Sequence, residues 1–221
     1  MLKVAILLYD RFTTLDAVGP YEVLSRLRGA QATFVAERPG PVAADTGMLS
    51  LVAEASIADL PHPDLVLVPG GPGQEHQMAD GPVHEWLRAA DAVSSWTTSV
   101  CTGSLILAAA GLLQGRRATS HWLAVDRLAD YGAQPSRERV VIDGKYVTGA
   151  GVSAGIDMAL TLAGRIGGRD AAEAIQLMLE YAPQPPYHAG SPLTAPADLV
   201  SRLRITSRHT DQQAAGEPVA G

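Results

Sequence analysis

The chain has 221 residues, 47% of them hydrophobic and 18% charged, enough to bury a substantial core and too apolar to stay disordered. Its net charge of −6 offers no electrostatic pull toward nucleic acid or an anionic membrane surface. A single cysteine excludes an internal disulfide and makes the reducing cytoplasm the expected compartment.

The opening MLKVAILLYD has no basic leader, and its apolar run is too short for a signal peptide or a membrane span. Lys3 to Leu8 predicts a strand buried on both faces. A helix is expected over Tyr21 to Arg28, with Gly19-Pro20 in its first turn, so Asp16 falls at the entry to that helix. Ala32 to Ala36 and Leu49 to Ala53 read as strands separated by a turn-rich loop, PGPVAADTG. Asp64 to Val68 is a second buried strand, broken by Pro69-Gly70-Gly71-Pro72-Gly73, where glycine lets the backbone approach a neighbour closely. Pro82 to Val93 predicts a helix with Val83, Trp86, Leu87 and Ala90 on one face.

SWTTSVC then forms a strand ending at Cys101, and Ser104 to Ala110 a helix, with only Thr102 and Gly103 between them. A strand, a sharp turn and a helix in immediate succession give the geometry of a nucleophile elbow. Further on, Ala118 to Ser120 predicts a short strand and His121 to Tyr131 a helix. Asp143-Gly144 marks a hairpin between Val140–Ile142 and Tyr146–Thr148. Ile156 to Ile166 is a long apolar helix, and Asp170 is expected to cap another over Ala171 to Tyr181. The proline-rich run 182–196 predicts an extended surface arm. Residues 1–206 are expected to form one domain and 207–221 a flexible tail.

Buried strands alternating with helices imply an α/β fold with a mostly parallel sheet covered on both faces. Sites in such sheets lie beyond the carboxyl ends of the strands. Asp16, Gly70-Gly71 and Cys101 each follow a buried strand at that end, so three segments converge there.

At the elbow, first-turn N–H groups and the helix dipole favour a thiolate on Cys101. A lone cysteine also serves as a small buried hydrophobe, and its place at the junction is what weighs against that role. The N–H groups of Gly70, Gly71 and Thr102 are candidate donors to developing negative charge. Asp16 is the favoured acid–base partner, because desolvation and a neighbouring thiolate raise a carboxyl's pKa toward neutrality. The same carboxylate also suits a helix start without catalytic duty. His121 is an alternative partner, though SHW serves equally as a capping and packing element.

His62, His76, His84, His188 and His209 share no metal-ligand spacing, so no metal is expected. GAGVSAG lacks the glycine spacing and the acidic partner of a dinucleotide loop.

The segments LDAVGPYEVL, LVLVPGGPG, SVCTGSLILAAAGLLQGRRATSHW and EYAPQPPYHAGSP together resemble the ThiJ/PfpI superfamily of glutamine-amidotransferase-like proteins, over about residues 3–200. Within it the resemblance is to the isocyanide-hydrating branch. It implies a flavodoxin-like three-layer sandwich, a homodimer, and cofactor-free hydration of an isocyanide to an N-substituted formamide. Carried over, the nucleophile falls on Cys101 and the general acid/base on Asp16, with supporting donors on Thr102 and the Gly70–Gly71 turn. Thr at position 102, where protease-like branches place His, and Asp16, where many branches use Glu, both fit that branch.

The rival reading is a ligand- or redox-sensing module, since AraC-type regulators carry a similar N-terminal domain. Those proteins append a helix-turn-helix region, for which the residues after the arm are few and not strongly basic.

Overall fold

The computed structural model describes residues 1–206. In chain order the elements are β1 (Leu2–Leu7), α1 (Thr14–Leu24), β2 (Ala30–Ala36), β3 (Gly40–Ala43), β4 (Ser50–Ala53), β5 (Ala55–Ser56), β6 (Leu65–Val68), α2 (Pro82–Val93), β7 (Trp96–Val100) and α3 (Gly103–Ala109). There follow β8 (Arg117–Ala118), β9 (Gln134–Pro135), β10 (Val140–Asp143), β11 (Tyr146–Gly149), α4 (Ala154–Gly167), α5 (Arg169–Met178) and α6 (Ala197–Thr206). The tail expected over 207–221 lies outside the described residues.

The central sheet runs β10-β11-β7-β6-β1-β2-β5. Every pairing is parallel except β10 with β11, the hairpin marked by Asp143-Gly144. From β1 the chain crosses to one side, to β2, and from β6 to the other, to β7. Right-handed crossovers therefore place α1 and α2 on opposite faces. Helix α4 packs on α1, and α3 packs beside α2. The strands between these layers read as uninterrupted apolar runs because both faces are covered, and Leu65 to Val68 are all fully buried.

Four local expectations are corrected. Helix α1 begins at Thr14 and ends at Leu24, so Pro20 lies inside it and not in its first turn. An interior proline costs about 3 kcal/mol, offset here by close packing on α4. A Cβ on Gly19 would stand 3.1 Å from Ile156 Cγ1, and one on Gly155 would stand 3.2 Å from Pro20 Cγ. The loop PGPVAADTG contains β3, which pairs antiparallel with β4 in a two-stranded ribbon that tolerates Pro41 at its edge. The helix expected over His121 to Tyr131 is a turn followed by a 3-10 helix over Val125–Tyr131. Asp170 is in the first turn of α5, and the capping position is Gly168. Helix α6 after the proline-rich arm was not anticipated. No helix among the described residues is long and apolar enough to cross a membrane.

Opposite the carboxyl ends, a polar cluster ties α2 to the starts of β7 and β11. Asp91 accepts the hydroxyls of Thr97 at 2.6 Å and Tyr146 at 3.0 Å, and pairs with Lys145 at 3.2 Å. Asp91→Ala strands those partners, and stability is expected to fall by about 3 kcal/mol, read as a lower guanidinium midpoint. A loss below about 1 kcal/mol would mean that the cluster behaves as a solvated surface pair.

Candidate active site

Strands β7, β6 and β1 are neighbours and parallel, so the segments leaving their carboxyl ends meet. From β1 comes Tyr9 through Asp16, from β6 the Pro69–Gly71 loop, and from β7 Cys101 and Thr102.

Cys101 has φ 58°, a left-handed conformation that a non-glycine residue adopts at a cost of about 1–3 kcal/mol. The backbone on both sides is held. Its N–H donates to the carbonyls of Gly149 at 3.0 Å and Ala150 at 2.8 Å. Its carbonyl accepts the hydroxyls of Ser104 at 3.1 Å and Ser120 at 2.9 Å. Four bonds from three segments thus over-determine the turn that lifts the sulfur toward Asp16.

Cys101 and Asp16 are both completely buried. Asp16 and the backbone N–H groups of Thr102 and Val152 all bear on the Cys101 thiol. Burial pushes the thiol well above its ordinary range, the charge of Asp16 adds to this, and the two N–H donors oppose it. Burial and the carboxylate thus oppose the helix end, which on its own favours a thiolate. Two neighbouring anions are costly at this depth of burial, which favours a single proton shared by the pair.

The structure brings all five sequence-predicted residues together, but it gives the glycines a different task. The Gly70 N–H donates to Asp16 Oδ2 at 2.9 Å, and the Gly71 N–H donates to Thr102 Oγ1 at 3.0 Å. Both amides are engaged with protein groups, so they orient the carboxyl and Thr102 where the sequence suggested donors facing an incoming anion. The loop sits tightly on the elbow: a Cβ on Gly70 would lie 2.8 Å from Cys101 Cβ.

Sequence reasoning missed Val152, Ser104, Ser120 and Tyr9. Val152 lies in GAGVSAG, where the informative feature is its backbone N–H and not a glycine spacing. The two serines act through hydroxyls on a carbonyl, which no motif marks. Tyr9 is buried just after β1 with its hydroxyl on the Pro69 carbonyl at 2.8 Å. His121 lays its ring against Gly151, where a Cβ would lie 2.9 Å from its Cδ2, and its Nδ1 accepts the Leu123 N–H at 3.3 Å. Among the described residues no three His, Cys, Asp or Glu side chains cluster to hold a metal.

A buried cysteine on a strand-to-helix turn above a parallel sheet, with a carboxyl from the first crossover against it, defines an α/β protein with a cysteine elbow. Residues 2–165 match the DJ-1/PfpI family, and the chain belongs to that family. It is 46% identical over 203 residues to the isonitrile hydratase of Pseudomonas putida, covering 92% of this chain and 89% of that protein. A crystal structure of a ThiJ/PfpI family protein from Pseudomonas syringae superposes with a TM-score of 0.90 at 40% identity, over 92% of this chain and 85% of the other. The HTH-type transcriptional regulator CdhR of Pseudomonas aeruginosa is 39% identical over 125 residues, 56% of this chain but only 37% of the regulator.

Proposed function

We propose that the chain is a cofactor-independent isocyanide hydratase, converting R–N≡C and water to the formamide R–NH–CHO. The observation that carries this is the pairing of Cys101 with Asp16, both completely buried, the carboxyl bearing directly on the thiol. It is supported by 46% identity over nearly the whole length of a protein named for that reaction.

The Cys101 thiolate attacks the terminal isocyanide carbon, and Asp16 delivers the shared proton to the same carbon, leaving the thioimidate R–N=CH–S–Cys101. The carboxylate of Asp16 then takes a proton from water as hydroxide adds to that carbon, and passes it to the nitrogen. The C–S bond breaks as the hydroxyl proton returns to Asp16, releasing formamide and restoring the starting pair. The Thr102 and Val152 N–H groups stabilise the departing thiolate, and the dry site strengthens each of these interactions.

An aryl isocyanide gives a direct absorbance assay, and purified chain is expected to turn it over. Asp16→Asn is expected to lower kcat about a thousandfold with its far-ultraviolet circular dichroism unchanged. A loss of less than about tenfold would move the acid to another group.

The reaction needs no secreted or membrane context, which suits the cytoplasm. A homodimer is supported by apolar side chains left at the surface on α5 and the arm, with Leu177 81%, Tyr187 80% and Leu193 88% exposed. The likeness to CdhR favours ligand sensing as the second reading. A gel shift with bound DNA and an absence of formamide would establish it.

A further inference from the structure

The peptide unit joining Pro69 to Gly70 stands between two side chains. Its carbonyl accepts the Tyr9 hydroxyl at 2.8 Å, and its N–H donates to Asp16 Oδ2 at 2.9 Å. The unit is trans, so the two groups point to opposite sides and the side chains reach it from both. A donor on a peptide oxygen draws electron density from the nitrogen and makes the N–H a stronger donor in turn. We infer that Tyr9 is a positioning residue that acts on Asp16 through this peptide, stabilising the carboxylate and so holding the shared proton on the Cys101 sulfur in the resting site. The inference rests on reading Asp16 and Cys101 as one acid–base pair, but not on the identity of the substrate.

Several features support a relay over a simple anchor. Tyr9 remains a donor, because burial and then the charges of Asp16, Cys101 and Asp45 push its phenol well above the ordinary range. Groups bearing on Asp16 include Cys101 from the elbow and Tyr9, just after β1. Asp45, after β3, accepts the Thr13 hydroxyl at 2.8 Å one turn before Asp16. The next peptide repeats the pattern: the Gly70 carbonyl accepts the Thr13 N–H at 2.8 Å while the Gly71 N–H serves Thr102. Two consecutive peptides thus carry polarisation from the segment after β1 to the side chains of Asp16 and Thr102.

The test is the pH dependence of Cys101 alkylation by iodoacetamide, which needs no isocyanide and reports thiolate directly. Tyr9→Phe keeps the ring and removes the donor, so the proton shifts toward Asp16 and thiolate forms more readily. In the pH range where the pair holds one proton the rate is expected to rise about threefold, the effect of about half a pH unit on the carboxyl, while the fully ionised limit at high pH stays unchanged. In the Asp16→Asn background the same change is expected to move nothing, because no carboxylate remains to be tuned. Incorporation of 3-fluorotyrosine at the 6 tyrosines strengthens the phenol as a donor and is expected to lower the rate in that same range; it decides the matter if Tyr9→Phe does not fold.

Superimposed profiles would overturn the inference. So would a shift that persists with Asp16→Asn, or an equal acceleration at every pH, which marks access alone. Failure to hydrate isocyanides leaves this readout intact, so the two proposals fail separately.

Discussion

Cys101→Ala is expected to give no formamide from any isocyanide, with product followed by chromatography at long incubation. Among the described residues of the site the sulfur is the nucleophile the mechanism requires, since Asp16 serves in proton transfer and the Gly70 and Gly71 amides are engaged with protein groups. Cys101→Ser is expected to be almost as inactive, falling by at least about ten-thousandfold. An alcohol is far harder to ionise than a thiol. The burial that already lifts the thiol would lift the hydroxyl too, and the Thr102 and Val152 donors together with one carboxyl do not reverse that. Both variants keep the four backbone bonds at position 101, so both are expected to melt near the parent temperature. Formamide at more than about one per cent of the parent rate from Cys101→Ala would remove the covalent mechanism. Water would then have to be the first nucleophile, with Asp16 as its base.

The parts of this site that were legible in the sequence are those fixed by local order. KVAILL, DLVLV and SWTTSV are continuous apolar or β-branched runs because both faces of the sheet are covered, and their carboxyl ends locate Asp16, Gly70-Gly71 and Cys101. Asp143-Gly144 stated its hairpin outright. What was not legible depends on contacts between distant segments. The Ser120 hydroxyl reaches the Cys101 carbonyl across nineteen residues, and Val152 contributes only a main-chain N–H, which any residue but proline would supply. The early start of α1 was hidden for a related reason. Pro20 argues against a helix interior on local grounds, and only the fit of Gly19 and Pro20 against α4 outweighs it. The burial that opposes ionisation of Cys101 was not legible, because spacing reveals a helix end but not how enclosed the pocket is. The helix-end effect is worth about 1 kcal/mol, whereas desolvation of a fully buried anion is several times larger.

Gly70→Ala is expected to be severely damaging although it removes no functional group. The added methyl would lie 2.5 Å from the Thr102 nitrogen, 2.7 Å from Thr102 Oγ1 and 2.8 Å from Cys101 Cβ. Two of those three atoms belong to the elbow backbone or its first side-chain carbon, so no rotamer change relieves the clash, and the loop and the elbow must separate. That separation lengthens the bond from the Gly70 N–H to Asp16 and the bond between Gly71 and Thr102, and it disturbs the Thr102 N–H on the sulfur. Overpacking of this kind costs about 1–3 kcal/mol of stability, read as a lower guanidinium midpoint. The larger effect is on kcat, expected to fall about a thousandfold because the acid and the nucleophile no longer share a fixed geometry. Gly81→Ala provides the control: its backbone is extended and nothing lies within 4 Å of an added methyl, so both quantities should stay at the parent level. If Gly70→Ala retained more than about a tenth of the parent kcat, the β6 loop and the elbow would be shown to move independently. Asp16 would then be held by α1 alone, and the route from Tyr9 to the carboxylate through the Pro69–Gly70 peptide would lose its physical basis.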